Sequence, residues 1–261
     1  MRMALAQFAR EYQTVRRAEG WGSADGAYYR SLPYTDLTGR FPGIWRIRAR
    51  SYQTFVQRVL EPLEAKGAQQ LRILDLGAGS GWLANRLALR GHWVAAIDLL
   101  ADPLDGLGAV RHYAAPVRAV VAEFDRLPLP SASIDLAIFN AAFHYSTDYT
   151  RTAGEALRVA RPRGTLVILD SPMYRDPTSG ARMVEERQAR FLSKYGFASD
   201  ALRSQHYLTP ARLDRVGSDL GIRWQVHQPA LDWRSSLGRA IGGIRARREP
   251  ARFPVIVGRC P

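Results

Sequence analysis

Ile73-Leu74-Asp75-Leu76-Gly77-Ala78-Gly79-Ser80-Gly81-Trp82-Leu83 decides the fold. An apolar run ends in an acid, a glycine-rich turn follows, and a helix begins. Glycine lets the backbone turn tightly and brings it close to a ligand. The helix behind the turn aims its free N–H groups at the same place. A dinucleotide-binding turn would carry its third glycine at position 82. Here position 82 is Trp and the third glycine is Gly81, so an indole obstructs close passage of a pyrophosphate. A tight turn that binds nothing is the plainer reading. Three alternating glycines, however, weaken a fold for no packing gain, and ligand binding is favoured.

Around this turn, short apolar runs alternate with helical stretches. Strands are expected at 71–76, 93–98, 117–122, 134–139 and 165–170. Helices are expected at 44–63, at 82–90 closed by Gly91, at about 104–115, and at 148–160 stopped by Pro162. Regular strand–helix alternation means a parallel sheet covered on both faces. The C-terminal part differs. A helix at 181–195 precedes one capped by Thr209, opened by Pro210 and ended by Gly221. Two late strands, 222–227 and 253–258, lack a clear crossover helix and so predict an antiparallel last strand.

Two further acids fit a ligand crevice. Asp98 ends the second strand, where an acid can accept both ribose hydroxyls of a nucleoside. Glu123 and Phe124 follow the third, where an acid beside a ring can take an adenine amino group and cover its face. Either acid alone reads as a solvated loop residue. At successive ends of one parallel sheet they outline the crevice where such sheets bind ligands.

The segment Asp75 to Asp98, the turn Glu123-Phe124-Asp125-Arg126-Leu127-Pro128 and the stretch Ile134 to Tyr145 resemble class I S-adenosylmethionine-dependent methyltransferases. Arg158-Val159-Ala160-Arg161-Pro162-Arg163-Gly164 is similar to that family's turn into strand five. The likeness covers about 44–170. It implies an α/β, Rossmann-like, doubly wound seven-stranded sheet, mostly parallel with an antiparallel last strand. A helical cap or lid at 1–43 would precede a methyltransferase domain at 44–261. It also implies S-adenosyl-L-methionine as cofactor and S-adenosyl-L-homocysteine as product. The methionine part would lie on Asp75, Gly77, Ala78, Gly79 and Gly81, the ribose on Asp98 beside Leu99, and the adenine on Glu123 and Phe124, with Asn140 at the end of strand four. Two positions depart from the family. Glu123 stands where Asp is common, and Arg163 replaces the first glycine of a Pro-Gly-Gly turn.

The strand-four end reads Asn140-Ala141-Ala142-Phe143-His144-Tyr145. The Asn-Pro-Pro-aromatic clamp of adenine and glutamine-amide enzymes is absent, as is the early Cys of the C5-cytosine enzymes. Both absences argue against base methylation. A sulfonium methyl is already activated, so positioning can supply most of the rate and a general base is optional. His144 is the candidate base. Its alternative is to shape the loop; Tyr145 is the candidate beside it, with packing as its own alternative. Arg48 falls on the apolar face of the 44–63 helix with Tyr52, Phe55 and Val59. A buried Arg needs an anion, here the cofactor carboxylate or Asp75, unless it snorkels past Trp45 to water.

The acceptor pocket is expected from 1–43 and from insertions at about 171–208 and 228–252. Tyr28, Tyr34, Trp45, Tyr174 and His206 are its candidate substrate residues, a set suited to a planar or apolar small molecule, with plain cap packing as the alternative. The Arg-rich stretch 234–252 is either a solvated face, an anion clamp or a membrane-surface contact.

Composition narrows the rest. The 261 residues, 46% hydrophobic and 23% charged, suffice for a large core and exclude long-range disorder. The net charge of +13 suggests an anionic partner. Only Lys66 and Lys194 of the 37 basic residues are lysine, so a coding bias toward Arg is the simpler source. The single Cys260 gives no disulfide framework, no metal site is expected, and no apolar run spans a bilayer. A cytoplasmic monomer or homodimer acting on a small-molecule acceptor is expected. An RNA methyltransferase using the basic surface and a non-catalytic cofactor-binding module are the alternatives.

Overall fold

A computed structural model describes residues 2–65, 70–230 and 248–259. Seven strands form one sheet: β1 (Arg72–Leu76), β2 (Trp93–Asp98), β3 (Val117–Val121), β4 (Ile134–Asn140), β5 (Ala160–Leu169), β6 (Arg223–His227) and β7 (Val255–Arg259). Their spatial order is β3-β2-β1-β4-β5-β7-β6. The first five pair in parallel, and β7 runs antiparallel to both β5 and β6. The reversed last strand is therefore where the sequence placed it.

The central strands β1, β2 and β4 are almost wholly buried because helices cover both faces, whereas β3 and β6 at the sheet edges are largely exposed. Alternation along each strand divides the core into two layers. Ile73, Val94, Leu136 and Val167 face one way with Leu83, Leu87, Phe55 and Leu60. Leu74, Ala95, Ala137 and Ile168 face the other way with Ala153, Ala156, Leu213 and Val216.

Eight α-helices are described. Four precede the sheet: α1 (Arg2–Glu19), α2 (Gly26–Ser31), α3 (Pro42–Phe55) and α4 (Glu61–Glu64), the last two joined through a π turn at Val56–Leu60. α5 (Trp82–Ala88) and α6 (Tyr149–Val159) join strands of the parallel part. α7 (Pro177–Tyr195) and α8 (Pro210–Leu220) lie between β5 and β6. Their ends follow local chemistry. Asp148, Asp176 and Thr209 accept the N-terminal N–H groups of α6, α7 and α8, while Gly196 and Gly221 close α7 and α8 in the left-handed conformation. The cap packs ring on ring: Trp21 stacks on Phe41 with centroids 3.7 Å apart, and Trp45 meets Trp82 edge-on at 6.0 Å.

Three expectations need correction. The helix at 104–115 is only a 3-10 turn, Leu107–His112. A Cβ on Gly106 or Gly108 would stand 2.6–2.8 Å from the 100–103 backbone, so the chain folds back on itself there instead of coiling. β5 begins at Ala160, five residues early, with a register shift against β4. α7 begins at Pro177, ahead of the expected 181. Most of the Arg-rich stretch 234–252, and Cys260, lie outside the described residues.

Candidate active site

The β1–α5 turn forms the floor of a cleft at the carboxyl ends of the parallel strands. Gly77, Gly79 and Gly81 have φ of 69°, 53° and 72°. These values lie in the left-handed region that glycine occupies without strain. A Cβ on Gly77 would stand 2.3 Å from that of Ala142, whereas one on Gly79 would meet nothing within 4 Å. Gly77 is thus required by close packing, and Gly79 leaves open space facing the cleft.

Asp75 is completely buried beneath this turn. Its Oδ2 accepts from the Ala84 N–H at 3.2 Å, and its Oδ1 has no partner among the described residues. Burial pushes its carboxyl up to about 7. Asp98 connects the turn to the next strand. Its Oδ2 accepts from Gly79 N–H at 2.8 Å and its Oδ1 from Leu100 N–H at 2.9 Å. Burial raises its pKa, and these two hydrogen bonds oppose that rise.

The cleft is lined by Gly77, Ala78, Gly79, Asp98, Leu99, Glu123, Phe124 and Asn140, all expected on the cofactor side, and by Arg48, Tyr28, Trp45 and Tyr145. Asn140 is buried, with its Oδ1 unpartnered among the described residues. Ala141 after it has φ 54° and donates its N–H to Leu169 O at 2.9 Å, which fixes the strand-four end. The residues fit a nucleoside-containing cofactor: a glycine floor, an acid at the β2 end, and an acid and a ring at the β3 end. Among the described residues no group of His, Cys, Asp and Glu could hold a metal ion.

Arg48 lies in the cleft wall, its Cζ 4.7 Å from the Trp45 ring centroid and 5.7 Å from that of Trp21. Burial lowers its pKa, Arg16 adds to the effect, and Asp170 opposes it. The alternative pairing with Asp75 is not formed, since the one hydrogen bond of that carboxylate comes from Ala84. Asp170 accepts from Ser51 Oγ at 2.6 Å.

Other expected residues stand outside the cleft lining. Gly81 turns the chain toward Val110 and Tyr113. His144 is buried behind the wall with Nδ1 3.2 Å from Ser171 Oγ, and burial, with His206 next, drives its pKa down to about 3. The ring stands outside the cleft lining and beside Ser171, the place the loop-shaping alternative gives it. His206 is buried too, its ring 6.0 Å from that of Tyr145. Tyr174 is buried against Tyr207. Tyr34 is 53% exposed and packs on Tyr52, away from the cleft.

The segment 1–43 is expected to contribute to the pocket, but the sequence reading does not single out the α1 residues that do so. Leu5, Phe8, Tyr12 and Arg16 line the cleft, and Leu202 joins them from the post-β5 segment. Phe8, Tyr12 and Tyr145 form an aromatic wall with centroids 5.4–6.0 Å apart. Helical spacing puts these α1 residues on one face, a signal that was available in the sequence.

Residues 74–168 match the methyltransferase domain family. Over 98 residues the chain is 40% identical to an uncharacterized methyltransferase of Mycobacterium tuberculosis, a match covering 37% of this chain and 49% of that protein. Over 126 residues it is 31% identical to the malonyl-[acyl-carrier protein] O-methyltransferase of Erwinia pyrifoliae, covering 46% of each. The chain spans about half the length of the curated relatives it matches. Among solved structures it resembles a Haloferax volcanii methyltransferase in complex with the Trm112 methyltransferase activator, with a TM-score of 0.60 at 17% identity over 90% of this chain and 97% of that one. A Thermotoga maritima S-adenosylmethionine-dependent methyltransferase gives a TM-score of 0.52 at 16% identity, over 90% and 98% of the two chains. These likenesses establish the fold.

Proposed function

We propose that this chain, a class I S-adenosyl-L-methionine-dependent methyltransferase by its domain at residues 74–168 and its sheet, transfers a methyl group to a small-molecule acceptor by in-line displacement. S-adenosyl-L-methionine, when bound, supplies a methyl on a cationic sulfur that is already activated for attack. The chain's own residues bind, orient and exclude water. Gly77, Ala78 and Gly79 let the backbone approach the methionine part. Arg48 neutralises its carboxylate, Asp98 accepts from the ribose hydroxyls, and Glu123 with Phe124 takes the adenine beside Leu99 and Asn140. Tyr28 and Trp45 stand on the acceptor side with the aromatic wall of Phe8, Tyr12 and Tyr145.

One observation carries this reading. The glycine turn and the ribose-side acid act as a unit, because Asp98 accepts the Gly79 N–H at 2.8 Å while facing the cleft. The lining of Phe8, Tyr12, Tyr28, Trp45 and Tyr145 supports a small, partly apolar acceptor. The O-methyltransferase relative of Erwinia pyrifoliae makes oxygen one candidate acceptor atom.

Two measurements test the proposal. Calorimetry with S-adenosylhomocysteine is expected to give one site per chain. Labelled methyl from the cofactor is expected to enter a low-molecular-mass fraction of a metabolite extract and not bulk RNA. Absence of binding overturns the cofactor reading, and efficient labelling of RNA overturns the small-molecule reading.

A further inference from the structure

We propose that the acceptor carries a carboxylate, gripped by the Nε–Nη2 edge of Arg187 on α7. The inference rests on the methyl-transfer reading above and adds the chemical class of the substrate. Three carboxylates within this chain are held by that same guanidinium edge. Arg16 takes Asp105, Arg90 takes Glu64, and Arg158 takes Glu155, each through Nε and Nη2. The edge matches the two oxygens of a carboxylate in a parallel, two-point contact.

In Arg187 these two nitrogens are buried and have no partner among the described residues. The groups that act on its charge are the Tyr145 hydroxyl and Arg190, and neither is a carboxylate. His206, itself buried with Nδ1 unpartnered, feels the Arg187 charge, as does His144. Neither histidine, neutral or protonated, is an anion, so neither supplies a counter-charge, and burial keeps both from adding a second positive charge. Arg187 as a whole is half-buried, but two of its donors are out of water without an acceptor among the described residues, which is costly and makes this edge a candidate anion site.

The position suits an acceptor. α7 follows β5 in the segment expected to build the acceptor pocket, which reaches the cleft lining at Leu202. Tyr145 lines the cleft on one side and reaches Arg187 electrostatically on the other. Arg187 itself is not in the cleft lining, so the Tyr145 ring must turn aside to open the guanidinium edge to the cleft. The acceptor would then be fixed at two places, its carboxylate on α7 and its apolar body on the aromatic wall. Arg187 is a binding residue in this scheme and takes no proton.

The test uses the full chain saturated with S-adenosylhomocysteine. Acetate, benzoate and phenylacetate are each compared with acetamide, benzamide and phenylacetamide by titration. At least one carboxylate is expected to bind about tenfold tighter than its amide, as charge-assisted hydrogen bonds warrant. Arg187→Met is expected to remove that preference and Arg187→Lys to keep part of it, with S-adenosylhomocysteine affinity unchanged in both. Equal binding of every acid and its amide, or a preference that survives in Arg187→Met, overturns the proposal. Should Arg187→Met not fold, the Nε–H resonance of Arg187 in the wild-type protein decides, and a resonance unmoved by all three carboxylates overturns it. Failure of S-adenosylhomocysteine to bind the wild-type chain would instead remove the cofactor reading, a separate outcome.

Discussion

Arg16 of α1 holds the Asp105 carboxylate with both Nε and Nη2, the latter 2.8 Å from Oδ1. One helix turn of the cap is thereby tied to the loop that follows Asp98. Arg17 adds a second contact, Nη2 to Asp102 Oδ2 at 2.7 Å. The Arg16–Asp105 pair is only 16% and 15% exposed, so solvent screens it little. Arg16 also lies over the Trp21 ring at 3.6 Å, which fixes the start of the cap's aromatic packing.

Asp105→Asn is therefore expected to loosen α1 over the end of the cleft where the nucleoside is proposed to lie. A hydrogen-bonded charge pair of this kind contributes about 2 kcal/mol. S-adenosylhomocysteine should bind more weakly by a corresponding factor, mainly through faster dissociation. Stopped-flow displacement measures it, and an unchanged off-rate would separate the latch from cofactor retention.

Gly77→Ala tests the floor. The added methyl would stand 2.3 Å from the Ala142 Cβ, at a φ of 69° that L-residues rarely adopt. Strain of about 1–3 kcal/mol is expected from the backbone alone, with displacement of the strand-four end in addition. Gly79→Ala meets nothing within 4 Å and keeps only the backbone cost, though its methyl would project into the ligand space. Thermal melts should thus show Gly77→Ala the less stable of the two, while both lose S-adenosylhomocysteine binding. Equal melting temperatures would remove the packing account of Gly77.

Asp98→Ala removes an acceptor that holds Gly79 N–H and Leu100 N–H and lines the cleft where the ribose is proposed to lie. A loss of about 1–3 kcal/mol in S-adenosylhomocysteine binding is expected. Calorimetry of the mutant against 5′-deoxy-5′-methylthioadenosine, which retains the ribose, should show the same loss. Full affinity for either ligand would withdraw the ribose assignment.

How much of this was legible follows from where each signal resides. The turn Asp75 to Gly81 could be read because its chemistry is local: a buried acid, a left-handed backbone and a following helix all lie within a few residues. Arg48 could be placed in a buried setting from its position among Tyr52, Phe55 and Val59. Its partner could not, because that depends on which strand end faces α3. The 104–115 stretch misled because Leu104, Leu107 and Val110 have helical spacing, while the close backbone approach at Gly106 and Gly108 is tertiary. The α1 face of Phe8, Tyr12 and Arg16 was periodic, but its period does not say that it covers a crevice built from residues 77–147. Tyr34, Tyr174 and His206 were grouped by residue type and segment, and packing separates them from the cleft lining.

The last prediction concerns acid. His144 and His206 are buried, and burial drives both down to about 3 from a usual value near 6.5. The unfolded chain therefore binds protons at these rings between about pH 6.5 and 3, where the native chain does not. Each ring contributes stability that is present above pH 6.5 and is lost as pH falls through that window, by about 1.4 kcal/mol per pH unit. Asp75 works in the opposite sense. Its carboxyl is raised to about 7, so the native state holds a proton that the unfolded state has released above about pH 4, and its contribution fades as pH rises toward 7. The total pH dependence mixes these effects, and a single substitution separates them. His144→Gln should narrow its stability gap to wild type as pH is lowered from 6.5 to 4.5, while Asp75→Asn should narrow its own gap as pH is raised over the same range. Urea melts at several pH values measure both. A His144→Gln gap that stays constant with pH would show that His144 is not held neutral by burial in the folded chain.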